Sequence, residues 1–231
     1  MQFVAIPTEL TTAATDACLA LLALASAGYL SRFYRRDSWK ILLWCWIMVL
    51  LALSSILGVL VHGFKLAPTI HNVLWLPLYV SLALTVALFA ANAIYDGWGL
   101  SASRRVLPFL LVAGCVFSII AQLLAGDFLI FILYEGVAML FALGVYLWLV
   151  ISRRLSGASL ITCGILFTII AAIVQTIHSI AFTVIWQFNN NGLFHLIQMV
   201  GIVFLVAGVR RSVVLPGTVG NFSPVQQPEI R

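Results

Sequence analysis

The sequence is short of charged residues, and this shortage narrows its class. Charged side chains make up 8% of the 231 residues, whereas 63% are apolar. A soluble domain carries about 25% charged residues, so this chain has too few to cover a water-exposed surface. That shortage excludes soluble enzymes, coiled coils and disordered chains, and it leaves an integral membrane protein. The four cysteines form no CxxC pair and do not identify a redox compartment.

Long apolar runs predict an all-α protein whose seven helices cross a membrane. A membrane span needs about 20 mostly apolar residues. The runs are much longer than the roughly 10-residue alternating strands of a membrane barrel. The predicted spans are residues 9–30, 40–62, 71–95, 106–125, 128–151, 158–186 and 192–210. Residues 1–211 would form the seven-helix domain, and residues 212–231, which contain three prolines, a short mobile cytoplasmic tail.

The basic residues predict how this bundle is oriented. Eleven of the 12 Lys and Arg residues belong to one side of the predicted topology, and only Lys65 belongs to the other. The positive-inside rule then puts the N-terminus outside and the C-terminus inside. The net charge of +5 therefore reports orientation, and no nucleic acid partner is expected. We expect a bacterial inner membrane, with the outer side in the periplasm, or in the lumen if the membrane is an organelle's.

Ionisable and amide side chains gather in the outer half of the predicted spans. Such residues are costly in lipid and mark functional sites. Asp16 and Glu135 each lie roughly 10 Å below the outer boundary, where Lys65 is the only nearby base. Their carboxyls must be protonated, hydrogen-bonded or bound to a cation. The predicted outward-facing pocket contains Glu9, Thr12, Asp16, His62, His71, Glu135, Gln175, His178, Asn191, His195 and Gln198. Glu9 and His71 could alternatively be solvated boundary residues.

Histidines and carboxylates on several helices have the chemistry of a hydrolytic zinc site. Such a site uses three protein ligands, a water and a carboxylate that accepts a proton. We predict that His62, His178 and His195 bind the metal. Asp16 or Glu135 would act as the base or would orient an imidazole. No compact local motif such as HExxH supports this set.

The topology and three short segments resemble the CREST superfamily of membrane hydrolases, which includes alkaline ceramidases and progestin/adipoQ receptors. The segments are Gly58–His62 at the end of span two, Leu74–Pro77 at the start of span three, and Asn191–His195 early in span seven. In that family Ser-x-x-x-His and His-x-x-x-His motifs supply three zinc ligands, and its members cleave lipid amides or related bonds. The resemblance implies that His62 and His195 bind zinc.

The chain departs from the family pattern at three motif positions. Gly58, Leu74 and Asn191 stand where the family has a serine, an aspartate and a histidine. His178 would then replace the missing ligand. The resemblance therefore implies either a remote relative with a rebuilt site or one that has lost zinc and activity.

Two other classes of function stay open beside the hydrolase. Paired histidines on different helices can ligate haem, so one haem b or a chlorophyll-type pigment would fit near the outer face. A non-catalytic accessory subunit would use its 12% aromatic residues for contacts with membrane-protein partners or with further copies of itself. The leading prediction is a zinc-dependent, hydrolase-like protein that acts on or binds a membrane lipid, with cleavage of a lipid amide as the expected activity.

Overall fold

A computed structural model of the chain describes residues 2–123, 128–177 and 179–215, which are 83% helical. The elements are α1 (Pro7–Ser31), α2 (Ser38–Gly63), α3 (Pro68–Trp98), α4 (Leu100–Leu123), α5 (Phe128–Ile151), α6 (Ala158–Thr176), β1 (Ala181–Thr183), β2 (Gln187–Asn189) and α7 (Asn190–Val214). Seven helices are long and apolar enough to cross a membrane. The prediction of an all-α protein with seven long apolar helices is confirmed, and these helices are compatible with an integral membrane protein.

Sequence signals define where several of these helices begin. Pro7 and Pro68 occupy the first turns of α1 and α3, where a missing backbone N–H costs nothing. The side chain of Asp37 accepts from the backbone N–H of Lys40 and so caps α2. Asn189 caps α7 in the same way, because its Oδ1 accepts from Gly192 N at 2.9 Å.

The sixth helix is shorter than predicted. We expected a span over residues 158–186, but α6 ends at Thr176. β1 and β2 then form an antiparallel hairpin in which Phe182 pairs with Phe188 and their rings stack at 5.3 Å. The apolar run was misassigned because a short β-branched and aromatic segment has the same hydropathy as the end of a membrane helix. Val184, Ile185 and Trp186 form the exposed tip of the hairpin.

Six of the seven helices form a closed ring. Neighbouring helices pack in the order α1, α2, α3, α5, α6, α7 and back to α1, whereas α4 packs mainly against the outside of α3. Only 17% of the apolar stretch of α4 is buried, compared with 50% for those of α1, α2 and α3. The ring leaves space at its centre, and large apolar side chains cover its outer surface. That surface suits contact with lipid.

The two ends of the ring differ in their polar residues. We call the end where α1, α3, α5 and α7 begin the hairpin end, since β1 and β2 lie there. At the opposite end, Lys40 Nζ of α2 lies 2.7 and 2.9 Å from the two carboxylate oxygens of Asp96 on α3. Tyr146 of α5 donates to the same carboxylate at 2.8 Å. Lys40 and Asp96 are both almost fully buried. Their ion pair and the hydrogen bond from Tyr146 together connect three ring helices, α2, α3 and α5.

Candidate functional site

The ring encloses a cavity of about 440 Å³, a size typical of small-molecule sites. All six ring helices contribute side chains to its wall, and no described residue of α4 does. The α7 wall extends from Asn190 to Leu205, which corresponds to a depth of roughly 22 Å at the rise of an α-helix. The cavity is therefore long and narrow, and it runs from the hairpin end toward the opposite end.

The ionisable and amide side chains of the cavity wall all lie near the hairpin end, beside aromatic ones such as Trp75 and Phe194, and the wall further in is mostly apolar. The polar part is formed by Asp16, His62, Glu135, Gln175, Thr176, Asn190, Asn191, His195 and Gln198. The deeper part is lined chiefly by Leu19, Ile47, Met48, Phe89, Ile202 and Leu205. Ser54, Ser55, Thr85 and Thr168 also line the deeper part, and the hydroxyls of Ser54, Thr85 and Thr168 each donate to a backbone carbonyl of their own helix. Apart from Ser55, the deep wall therefore has little free capacity to donate hydrogen bonds.

Asp16 and His195 form the first of two carboxylate–imidazole pairs. Thr15 has one hydroxyl hydrogen, which it donates to Thr12 O at 2.8 Å. Thr15 Oγ1 also lies 2.9 Å from His195 Nδ1, so a hydrogen bond joins α1 to the imidazole of α7. The other ring nitrogen, Nε2, lies 3.3 Å from Asp16 Oδ1. Asp16 and His195 are 4% and 8% exposed, so this pair is held away from bulk water.

Gly58 makes room for the Asp16 carboxylate. A Cβ atom at position 58 would lie 2.5 Å from Asp16 Oδ2 and 2.7 Å from its Cγ, which no real contact allows. The Asp16 carboxylate thus occupies the space that a side chain at position 58 would need. The CREST motif that this segment resembles has a serine at the position of Gly58. Here the Asp16 carboxylate fills the space that a serine side chain would need.

Glu9 and His62 form the second pair, at the entrance to the cavity. His62 Nδ1 lies 2.7 Å from Glu9 Oε2, and its ring packs edge-on against Trp75. The side chain of His62 is 19% exposed, and that of Glu9 is 30% exposed. His62 Nε2 has no hydrogen-bond partner among the described residues. A carboxylate on one imidazole nitrogen orients the ring and leaves the other nitrogen available.

Three polar side chains in the cavity wall have unmet bonding capacity. Glu135 of α5 makes no hydrogen bond or ion pair with any described residue. Gln175 Oε1 and Gln198 Oε1 are buried without a partner in the described part of the chain. A buried polar group without a partner is costly, so such groups mark positions where a bound molecule would supply the missing bonds.

The structure brings together most of the residues predicted for the pocket. Asp16, His62, Glu135, Gln175, Asn191, His195 and Gln198 all line the cavity. Glu9, Thr12 and His71 do not: Glu9 holds His62 from outside, Thr12 bonds to Thr8 O and Asn189 Oδ1, and His71 packs against Trp75. His178 lies outside the described residues, and its predicted depth rested on a helix reaching residue 186.

The zinc set predicted from the sequence is not assembled by the described residues. Among residues 2–123, 128–177 and 179–215, no three His, Cys, Asp or Glu side chains converge closely enough to hold a metal ion. Both ring nitrogens of His195 face protein atoms of α1, Thr15 Oγ1 and Asp16 Oδ1. The third predicted ligand is His178, so three-histidine coordination stays a prediction.

Comparison with known protein families identifies the family to which this chain belongs. Residues 11–213 match a family of unknown function, DUF6962. The chain belongs to this family. No curated protein and no solved structure matches the chain. The matched range contains both members of the Asp16–His195 pair and Glu135, whereas Glu9 precedes it.

Sequence reasoning missed two features of the site. Thr15 is hydrogen-bonded to Nδ1 of His195, and Gly58 leaves space for the Asp16 carboxylate. Both depend on contacts between helices that are far apart in sequence. Only the i, i+3 spacing of Thr12 and Thr15 on one face of α1 could have pointed to the first.

Proposed function

We propose that this protein binds an amphiphilic molecule of the membrane, with its polar head near Asp16, Glu135 and His195. Its apolar chain would lie against Ile202, Leu205 and the other deep residues. The observation that carries this proposal is the division of one long cavity into a polar and an apolar part. A ligand that matches both parts leaves neither polar groups unpaired nor apolar surface wet.

The orientation that goes with this proposal has the hairpin end outside. The described arginines that flank the helices, including Arg32, Arg104, Arg153 and Arg210, lie toward the opposite end, where the positive-inside rule expects the cytoplasm. Exposed Val184, Ile185 and Trp186 at the hairpin tip suit the outer membrane interface. In a bacterial inner membrane the polar part of the cavity would then be on the periplasmic side.

Occupancy of the cavity can be tested with two tryptophan substitutions on adjacent residues of α7. Ile202 is 1% exposed and lines the cavity, whereas Val203 is 57% exposed on the outer surface. We expect wild-type protein, purified in mild detergent, to retain a bound amphiphile in native mass spectra. Ile202→Trp fills the cavity and should lose that ligand, and Val203→Trp should retain it.

Ser55→Leu provides a second way to narrow the cavity, in case the larger substitution prevents folding. Ser55 is 3% exposed and lines the deep part. Gel filtration confirms that each variant is folded before its ligand is measured. Equal retention of the ligand in Ile202→Trp, Ser55→Leu and Val203→Trp would contradict the proposal, as would wild-type protein that carries no amphiphile.

A second candidate function is zinc-dependent hydrolysis of the bound lipid, as expected of a remote relative of the CREST superfamily. The observation that favours it is the Glu9–His62 pair, since metal-binding imidazoles are commonly oriented by a carboxylate on their other nitrogen. Elemental analysis and an absorption spectrum of the purified protein test this candidate. Near-stoichiometric zinc that is lost in His62→Ala would support it.

The same two measurements separate the remaining classes. A Soret band without zinc would indicate haem binding and would contradict a zinc-dependent hydrolase function. Protein that contains neither metal nor pigment, and cleaves no lipid amide, would leave lipid binding or an accessory role in a membrane complex.

A further inference from the structure

The polar part of the cavity carries acids without matching bases. Two carboxylates, Asp16 and Glu135, line it. No described lysine or arginine lines the cavity, and Lys65, the one basic residue predicted for this side, is exposed and outside the wall. Among the residues that the structure describes, positive charge in the wall can therefore come only from imidazoles.

The two imidazoles of the wall do not balance these acids. His62 is already paired with a carboxylate, since Glu9 binds its Nδ1 at 2.7 Å. His195 faces Asp16 through Nε2, so its protonation would compensate one carboxylate at most. Glu135 is left without a hydrogen bond or ion pair to any described residue. Buried uncompensated charge is strongly unfavourable, so a cationic ligand fits this part of the cavity.

The ring places the two carboxylates on facing helices. In the order α1, α2, α3, α5, α6, α7, the helices of Asp16 and Glu135 occupy opposite positions. Each residue lies roughly 10–14 Å along its helix from the hairpin end, so the two are at similar depth. A ligand head at this depth would lie between them.

A buried amide at the same depth also lacks a partner. Gln198 is 9% exposed, lines the cavity one helical turn beyond His195, and has an Oε1 atom without a partner among the described residues. Its amide oxygen can accept a hydrogen bond. A ligand head with several N–H donors would therefore satisfy the amide as well as both carboxylates.

We propose that the head of the bound amphiphile is a protonated amine, held between Asp16 and Glu135, with a single alkyl chain in the apolar part of the cavity. This inference rests on the proposed binding of an amphiphile and adds the charge of its head. Anionic heads such as phosphates and carboxylates are rejected, because they would face two acids without a lysine or arginine to pair with. Neutral heads bind more weakly, because they leave Glu135 uncompensated.

The test uses three amphiphiles that share one chain length and differ only in their heads. Wild-type protein in nonionic detergent is incubated with an equimolar mixture of tetradecylamine, tetradecanol and tetradecanoic acid, and the complexes are counted by native mass spectrometry. We expect the amine complex to exceed the alcohol complex about tenfold or more, since a hydrogen bond to a charged group contributes roughly 1.5–3 kcal/mol. The acid complex should be the least abundant.

The variants Glu135→Gln and Asp16→Asn preserve the shape of each side chain and remove its charge. We expect each to lower amine binding about tenfold while the alcohol complex stays within twofold, so the alcohol serves as the control for folding and for an intact cavity. Acid binding equal to amine binding, or an amine preference unchanged in Glu135→Gln, would overturn the inference while leaving amphiphile binding intact. Binding of none of the three compounds would overturn the proposed function itself.

Discussion

Asp16 shows how one residue of the site depends on another that has no side chain. Its carboxylate is buried between α1 and α2, and it fits because position 58 is glycine. The partner imidazole, His195, comes from α7. The carboxylate therefore contacts two helices besides its own, and a change at any of the three positions alters the site.

Gly58→Ala is expected to destabilise the protein by about 1–3 kcal/mol, because the new methyl group overlaps the Asp16 carboxylate. The same substitution in an Asp16→Ala background should cost much less, since the overlapping atoms are gone. Thermal unfolding in detergent of the wild type, both single variants and the double variant measures the coupling between the two positions. Additive losses would show that the two residues do not compete for this space.

The buried pair of Lys40 and Asp96 leads to a prediction at the opposite end of the bundle. Asp96→Asn should lower the free energy of unfolding by about 3–5 kcal/mol, because it leaves the ammonium group buried without its counter-charge. Lys40→Met should also lower the free energy of unfolding, because it leaves the Asp96 carboxylate buried without its counter-charge. The double variant, Lys40→Met with Asp96→Asn, should lose less stability than the two single variants lose together.

Lys65→Met is the matched control for Lys40→Met, since Lys65 is exposed and makes no ion pair with a described residue. Its melting temperature in detergent should equal that of the wild type. A melting temperature of Asp96→Asn close to the wild-type value would show that the ion pair does not hold α2, α3 and α5 together.

At the scale of elements, α6 and α7 are joined through small residues. Gly157 and Gly164 face Gly208 and Gly201, in antiparallel order and with the same spacing of seven residues. In lipid, helices associate by close packing rather than by expelling water, and glycine allows their backbones to approach. This contact closes the ring next to the cavity, since Thr168 and Ile202 lie on the same two helices.

Gly208→Ala should cost about 1–3 kcal/mol, because its Cβ would lie 2.6 Å from Ile161 Cγ1 and 2.8 Å from Ile161 N. Gly144→Ala in α5 is the matched control, since nothing lies within 4 Å of a Cβ there. Alanine favours a helix over glycine by up to about 1 kcal/mol, so the control should be neutral or stabilising. Equal melting temperatures for the two variants would argue against close packing of α6 on α7.

At the scale of the whole molecule, the one-sided distribution of basic residues leads to a test of the proposed orientation, in which the hairpin end lies outside. With the cysteines at positions 18, 45, 115 and 163 replaced, a new cysteine in Ile185→Cys should react with a membrane-impermeant thiol reagent added to intact cells or spheroplasts. Ile185 is 80% exposed at the tip of the hairpin. A tag added after Arg231 should not be accessible from the same side. The reverse labelling pattern would invert the proposed orientation.

The sequence by itself determined that the chain is an all-α protein with seven long apolar helices. Helix length and hydropathy are local properties, and lipid-compatible helices satisfy their own backbone hydrogen bonds, so neighbours are not needed to recognise them. Seven helices are confirmed, from Pro7–Ser31 to Asn190–Val214. Hydropathy failed at the end of α6, where an apolar β-hairpin has the same composition as a helix.

Only the tertiary structure decided which of the polar residues share a site. Position along a helix predicts depth, and Asp16, Glu135 and His195, which it places at similar depth, all line the cavity. It could not show that α4 lies outside the ring or that Lys40 is buried against Asp96. Those facts depend on which helices are neighbours and on how each is rotated about its axis, and packing between residues far apart in sequence sets both.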